Sequence, residues 1–159
     1  MDDILDDIIA REGGFSNDPT DKGGRTDKGI SEKAHPGAWA DGKITTEEAR
    51  AIYAHKYIKA PGFDKIPAGY ETLRVQLIDF GVNSGPGMAI QKLQEIIGAK
   101  IDGNLGKETI SLVPTIAPAK INNLLVAARI RMIGRIVVRD PSQVKYLSGW
   151  LNRALEFMV

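Results

Sequence analysis

The chain has 159 residues, 21 Lys/Arg against 20 Asp/Glu for a net charge of +1, and no cysteine. That length suits one globular domain, two lobes at most, and lets roughly two-thirds of the unfolded surface be buried without a stapling partner. Disulfides and thiolate metal centres are excluded, so apolar packing must hold the fold, and redox chemistry gives no clue to compartment.

The N-terminal run MDDILDDIIA is acidic, the opposite of a cationic signal peptide, and no apolar run approaches the ~18 residues of a membrane helix, so a soluble chain without its own export signal is expected. Residues 3–11 place Ile4, Leu5, Ile8 and Ile9 at helical spacing, and Gly13-Gly14 suits a left-handed cap that leaves Glu12 on the last turn. From Phe15 to Gly42 the composition turns to Gly, Asp, Pro, Lys and Thr, which predicts loops with at most a small hairpin. A capping box, Thr45 with Glu48, opens a helix through Ala49, Ile52, Tyr53 and Tyr57 that Pro61-Gly62 ends.

Helices then follow one another. One is predicted over Tyr70–Asn83 with Leu73, Leu77 and Phe80 as its stripe, and one over Met88–Ile97 with Ile90, Leu93 and Ile97 inward. Asp102-Gly103-Asn104 reads as a turn, Lys107–Val113 as a short helix stopped by Pro114, and Pro118–Val138 as a longer one. A last helix begins near Ser142, and Tyr146 and Trp150 are expected to close the C-terminal core. Residues 119–159 hold 7 Lys/Arg and 2 Asp/Glu. Arg129, Arg131, Arg135 and Arg139 read first as a solvated helix face; a weak contact with an anionic wall or membrane is the alternative. Four arginines are too weak a footprint for nucleic acid. The expected fold is mainly α, with a glycine-rich excursion after the first helix: a lobe over residues 1–67 and a helical lobe over 68–159, packed as one globular unit.

Candidate chemistry lies in Glu12 and the excursion that follows it. Glycoside cleavage needs one carboxylic acid held protonated to serve the leaving oxygen, and usually a second carboxylate to activate water or attack the sugar. Glu12, at the C-terminal end of an apolar helix, sits near partial negative charge and partly dehydrated walls, both of which raise a carboxyl pKa. Asp21 lies in a polar loop with the backbone N–H groups of Gly23 and Gly24, which favour the ionised form, and Thr26 offers a hydroxyl to hold water. Asp18 and Asp21 are equally at home as turn formers. Asn17, Asp18, Asp21 and Asp27 are oxygen ligands but fail the alternating calcium-loop template, and His35 and His55 lack partners at ligand spacing, so no metal is expected.

The run EGGFSNDPTDKGGRTDKGIS, residues 12–31, resembles the signature of the N-acetylmuramidases of glycoside hydrolase family 108, with its glutamate before two glycines, N-D-P, D-x-G-G, T and G-I. The order glutamate, aspartate, threonine is also similar to that of phage-type lysozymes. This resemblance implies a lysozyme-like fold, Glu12 as proton donor, Asp21 as the carboxylate that activates water, and Thr26 as its partner; Asp18 competes for the second carboxylate role. The segments D-F-G-V-N-S-G-P-G, residues 79–87, and I-D-G-N-L-G-K-E-T, residues 101–109, with the ending around Gly149–Arg153, are similar to the peptidoglycan-binding region that accompanies the motif.

Gln76, Asp79 and Asn83 fall on one helix face apart from the apolar stripe, where they could meet a saccharide; Asn83 is read as a substrate contact before a cap, Asp79 as either. Trp39 is read as a sugar-stacking ring or a packing anchor. The expectation is a monomeric, cofactor-free muramidase acting on peptidoglycan glycan strands by an inverting route. A lytic transglycosylase and a non-catalytic wall-binding module are the alternatives. A phage endolysin reaching the wall through a separate pore, or an exported bacterial autolysin or effector, is the expected setting.

Overall fold

Leu5, Asp6, Ile9 and Ala10 are helical, with Leu5 and Ile9 buried one turn apart, as the apolar spacing predicts. The computed structural model describes residues 5–6, 9–10, 14–15 and 25–159; Glu12, Asp18 and Asp21 lie outside them. The chain divides into two compact units, Met1–Ala60 and Pro61–Val159.

In the first unit, β1 (Thr26–Asp27) and β2 (Ile30–Ser31) form an antiparallel hairpin that pairs Thr26 with Ser31 and Asp27 with Ile30. Both turn residues are left-handed, Lys28 at φ 49° and Gly29 at φ 73°. That conformation matches the twist of a tight hairpin, and the Lys28 side chain bears its cost because it is tethered on both sides, as described below. α1 (Thr46–Ala54) starts on the expected capping box: Glu48 N–H donates to Thr45 Oγ1 at 3.2 Å while Thr45 N–H donates to Glu48 Oε2 at 2.8 Å. It buries Ala49 and Tyr53, one turn apart, and Arg50 on its other side ion-pairs with Asp6. The helix then widens into one π-helical turn, His55–Lys59.

The second unit opens with Gly62 in the left-handed region and a 3-10 turn, Phe63–Lys65. α2 (Glu71–Ser84), α3 (Pro86–Ile97), α4 (Lys107–Leu112), α5 (Pro118–Arg139) and α6 (Val144–Leu155) follow. α3 starts two residues before the predicted Met88 because Pro86 fits the first helical position, where its missing N–H is not needed. α2 packs against α3 and α5, and α5 against α3 and α6. Gln76 to Gly81 are buried without interruption, so α2 is the central helix of this unit rather than a one-sided amphipathic one. Phe63, Leu73, Leu77, Phe80, Leu93 and Leu125 fill the core around it.

Gly81 allows the closest approach: a Cβ there would lie 3.3 Å from both Phe63 Cε2 and Pro86 Cα. Gln94, buried on α3, staples the 102–104 turn: its Nε2 donates to Asp102 Oδ1 at 3.0 Å and its Oε1 accepts from Gly103 N–H at 2.9 Å. That bond and the Asn104 backbone hold the Asp102 carboxyl below its ordinary pKa. Tyr146 differs from expectation: it is 47% exposed, stacked on Trp150 at 5.5 Å, and closes no core.

Candidate active site

Of the opening motif, Thr26 is the catalytic candidate that the structure describes; Glu12, Asp18 and Asp21 lie outside the described residues. Thr26 begins β1, half-buried, and its hairpin is tethered by side-chain bonds to backbone carbonyls and by ion pairs. Lys28 Nζ donates to Ile44 O at 2.8 Å and ion-pairs with Asp27 at 3.0 Å. Tyr53 Oη donates to Lys28 O at 2.8 Å, so α1 clamps the turn directly. Arg25, immediately before Thr26, forms a fork on Glu32, with Nε to Oε2 at 2.9 Å and Nη2 to Oε1 at 2.7 Å. The guanidinium bonds hold the Glu32 carboxyl below its ordinary pKa, against a smaller opposing effect of desolvation. A two-residue strand pair is marginal alone, and these side-chain tethers fix its position.

Trp39 belongs to this framework. It is 3% exposed, its indole N–H donates to Ile30 O at 3.3 Å, and the Arg25 guanidinium lies 5.0 Å from its ring centre. With so little of the ring accessible, Trp39 anchors the hairpin and has no face to offer a sugar. Both readings were open in the sequence because the indole partner, a backbone carbonyl nine residues away, leaves no side-chain signal.

The α2 residues separate. Gln76 is fully buried; with its amide nitrogen turned toward α5 it donates to Asn122 Oδ1 at 2.9 Å, and its oxygen accepts from Val126 N–H at 3.1 Å. Asp79 is buried between two arginines, accepting from Arg129 Nη2 at 2.6 Å and from Arg153 Nε at 2.8 Å. The expectation that these two face a saccharide is therefore corrected: both hold the helices of the second unit together. The i, i+3 spacing was read correctly as one face, but α5 and α6 cover that face. Asn83, a turn further on, is exposed, gives its Nδ2 to Asp79 O at 2.6 Å, and borders a cavity.

Arg129 is the residue whose role the sequence hid. Read as part of a solvated basic face, it is 3% exposed. Its position four residues after Leu125 and four before Ile133, both buried, was the available signal. Arg131, Arg135 and Arg139 are exposed, as expected. Among the described residues no group of three or more His, Asp or Glu side chains is placed to hold a metal ion.

Residues 5–85 match the family model described as Glycosyl hydrolase 108, and residues 88–155 the one described as Predicted Peptidoglycan domain. Among solved structures, SagA of Brucella abortus is similar at 29% identity with a TM-score of 0.63, over 98% of this chain and 94% of that chain. The fold is the lysozyme-like, mainly α one. No curated protein matches the chain. The segment from Asp79 to Gly85, expected to go with the wall-binding region, falls within the first match.

Proposed function

This chain belongs to the glycosyl hydrolase 108 family, and from that premise we propose that it hydrolyses the β-1,4 bond between N-acetylmuramic acid and N-acetylglucosamine in peptidoglycan. A glycosidase of the lysozyme-like kind, joined to a peptidoglycan-binding region, has this polymer as its substrate class. The observation that carries the finer reading is the position of the first match. It spans the whole run from Glu12 to Ser31, and so every carboxylate and hydroxyl that the chemistry requires.

Glu12 protonates the bridging oxygen as positive charge develops on the sugar ring. A water held by Asp21 and Thr26 then attacks from the opposite face, which inverts the anomeric centre, because a water between acid and base needs more room than the ~5 Å of a retaining pair. The tethered hairpin suits Thr26 to this work. A hydroxyl that positions water acts through its location, and main-chain bonds from Lys28, Tyr53 and Trp39 hold that location.

Replacing Glu12 with Gln keeps the shape and removes the proton. The expected result is loss of at least ~10²-fold in cell-wall lysis with an unchanged melting temperature. A Glu12→Gln variant that clears walls at the ordinary rate would overturn the proposal. Mass spectrometry of the digest separates the rivals: hydrolysis adds one water per bond cleaved, transglycosylation adds none and leaves a 1,6-anhydro end, and a binding module leaves the polymer intact.

A further inference from the structure

A cavity of about 120 Å³ lies wholly within the second unit, where the end of α2 meets α5 and α6. Asn83, Ser84, Arg129, Ile133, Trp150 and Arg153 are among the residues lining it. We propose that this cavity binds a small C-terminal residue through its free carboxylate, in peptidoglycan the alanine end of the peptide stem. The proposal rests on peptidoglycan as the substrate and adds a peptide subsite to it.

Charge points to an anion. Two guanidiniums share the one carboxylate of Asp79, with Arg129 Nη2 on Oδ2 at 2.6 Å and Arg153 Nη2 on Oδ1 at 2.6 Å, which leaves one positive charge at the cavity wall. The Arg129 side chain is 4% exposed, and its Nη1 is buried with no hydrogen-bond partner among the described residues. Arg153, whose side chain is 20% exposed, is the more accessible of the two guanidiniums, and an incoming carboxylate pairs with the positive charge that Asp79 leaves over. The rings of Phe80 and Phe157, whose centres lie 5.2 and 5.9 Å from the guanidinium carbon, hold Arg129 in place, so little ordering remains to be done on binding.

Size and polarity narrow the class. An apolar cavity of ~150 Å³ accommodates benzene, so this one takes about five heavy atoms, close to the size of alanine and far short of an N-acetylated hexosamine. Ile133, Ile136 and Trp150 supply an apolar wall for a methyl group. Asn83 has committed its Nδ2 to Asp79, which leaves its Oδ1 to accept from a peptide N–H. Inside intact peptidoglycan the lactyl carboxyl is consumed in an amide, and of the carboxylates of the peptide stem the terminal one is carried by a residue as small as alanine.

The test is a titration of the full chain with N-acetyl-D-alanyl-D-alanine, its C-terminal amide and inorganic phosphate, followed by the NMR shift of the Trp150 indole N–H. The free acid is expected to shift that signal saturably, with the amide at least tenfold weaker and phosphate unable to compete at equal concentration. Ile136→Glu and Ser84→Asp each place a carboxylate at the cavity rim on an exposed helix position; both are expected to weaken the acid at least tenfold with an unchanged melting temperature. Equal binding of acid and amide, displacement by equimolar phosphate, or an unmoved Trp150 signal would overturn the proposal. The readout uses no glycan, so peptide binding without wall hydrolysis would overturn the enzymatic reading alone, and hydrolysis without peptide binding this one alone.

Discussion

Asp79 illustrates what a single polar side chain does inside this protein. Its carboxylate joins α2 to arginines 50 and 74 residues away in the chain, so its partners are set by the folding of three helices together. Buried ion pairs gain little over apolar packing, but removing one member strands the other charges in a poor solvent. Asp79→Asn is therefore expected to lower unfolding stability by about 3 kcal/mol in urea denaturation. A substrate-contact role predicts a different result, weaker binding at unchanged stability. Trp39 follows the same logic: its polar atom is satisfied by the backbone, and its ring by Arg25.

At the level of elements, local signals and close packing govern different things. The ends of α1, α2 and α5 lie within two residues of their predicted positions or at the π-helical turn that extends α1, because caps, prolines and left-handed glycines act on their own neighbours. How closely α2 and α3 approach depends on Gly81, which in sequence is only a glycine inside a helical pattern. A helix-interior glycine ordinarily costs stability, and replacing it ordinarily helps. Here the added side chain would meet Phe63 and Pro86, both part of the packed joint. Gly81→Val is expected to cost about 2 kcal/mol by overpacking, measured by thermal unfolding. A melting temperature at or above that of the unaltered protein would show that the joint yields.

For the whole molecule, two divisions of the chain compete. The matches divide it between residues 85 and 88, whereas compactness divides it between Ala60 and Pro61. The two differ over α2, whose buried face belongs with α3 and α5. A fragment beginning at Pro61 keeps Phe63, Leu73, Leu77 and Phe80 in the core and Asp79 between Arg129 and Arg153. One beginning at Met88 loses all of these and leaves two guanidiniums unpaired. The first is expected to unfold in a single cooperative urea transition, and the second to show no cooperative transition by circular dichroism. Cooperative folding of the shorter fragment would place the boundary where the matches do.

The sequence by itself determined the helical class, the capping box at Thr45 and Glu48 and the family of the glutamate-led run, and it allowed at most a small hairpin, placed no more narrowly than Phe15 to Gly42. Each depends on residues within a few positions of one another, where backbone geometry and hydrogen bonding act directly. Only the tertiary structure decided that Gln76, Asp79, Arg129 and Trp39 are internal and that a small cationic cavity lies beside Asn83. A polar side chain is buried when a partner elsewhere in the chain satisfies it, and a cavity forms where distant elements meet; neither leaves a periodic signal in the segment that carries it.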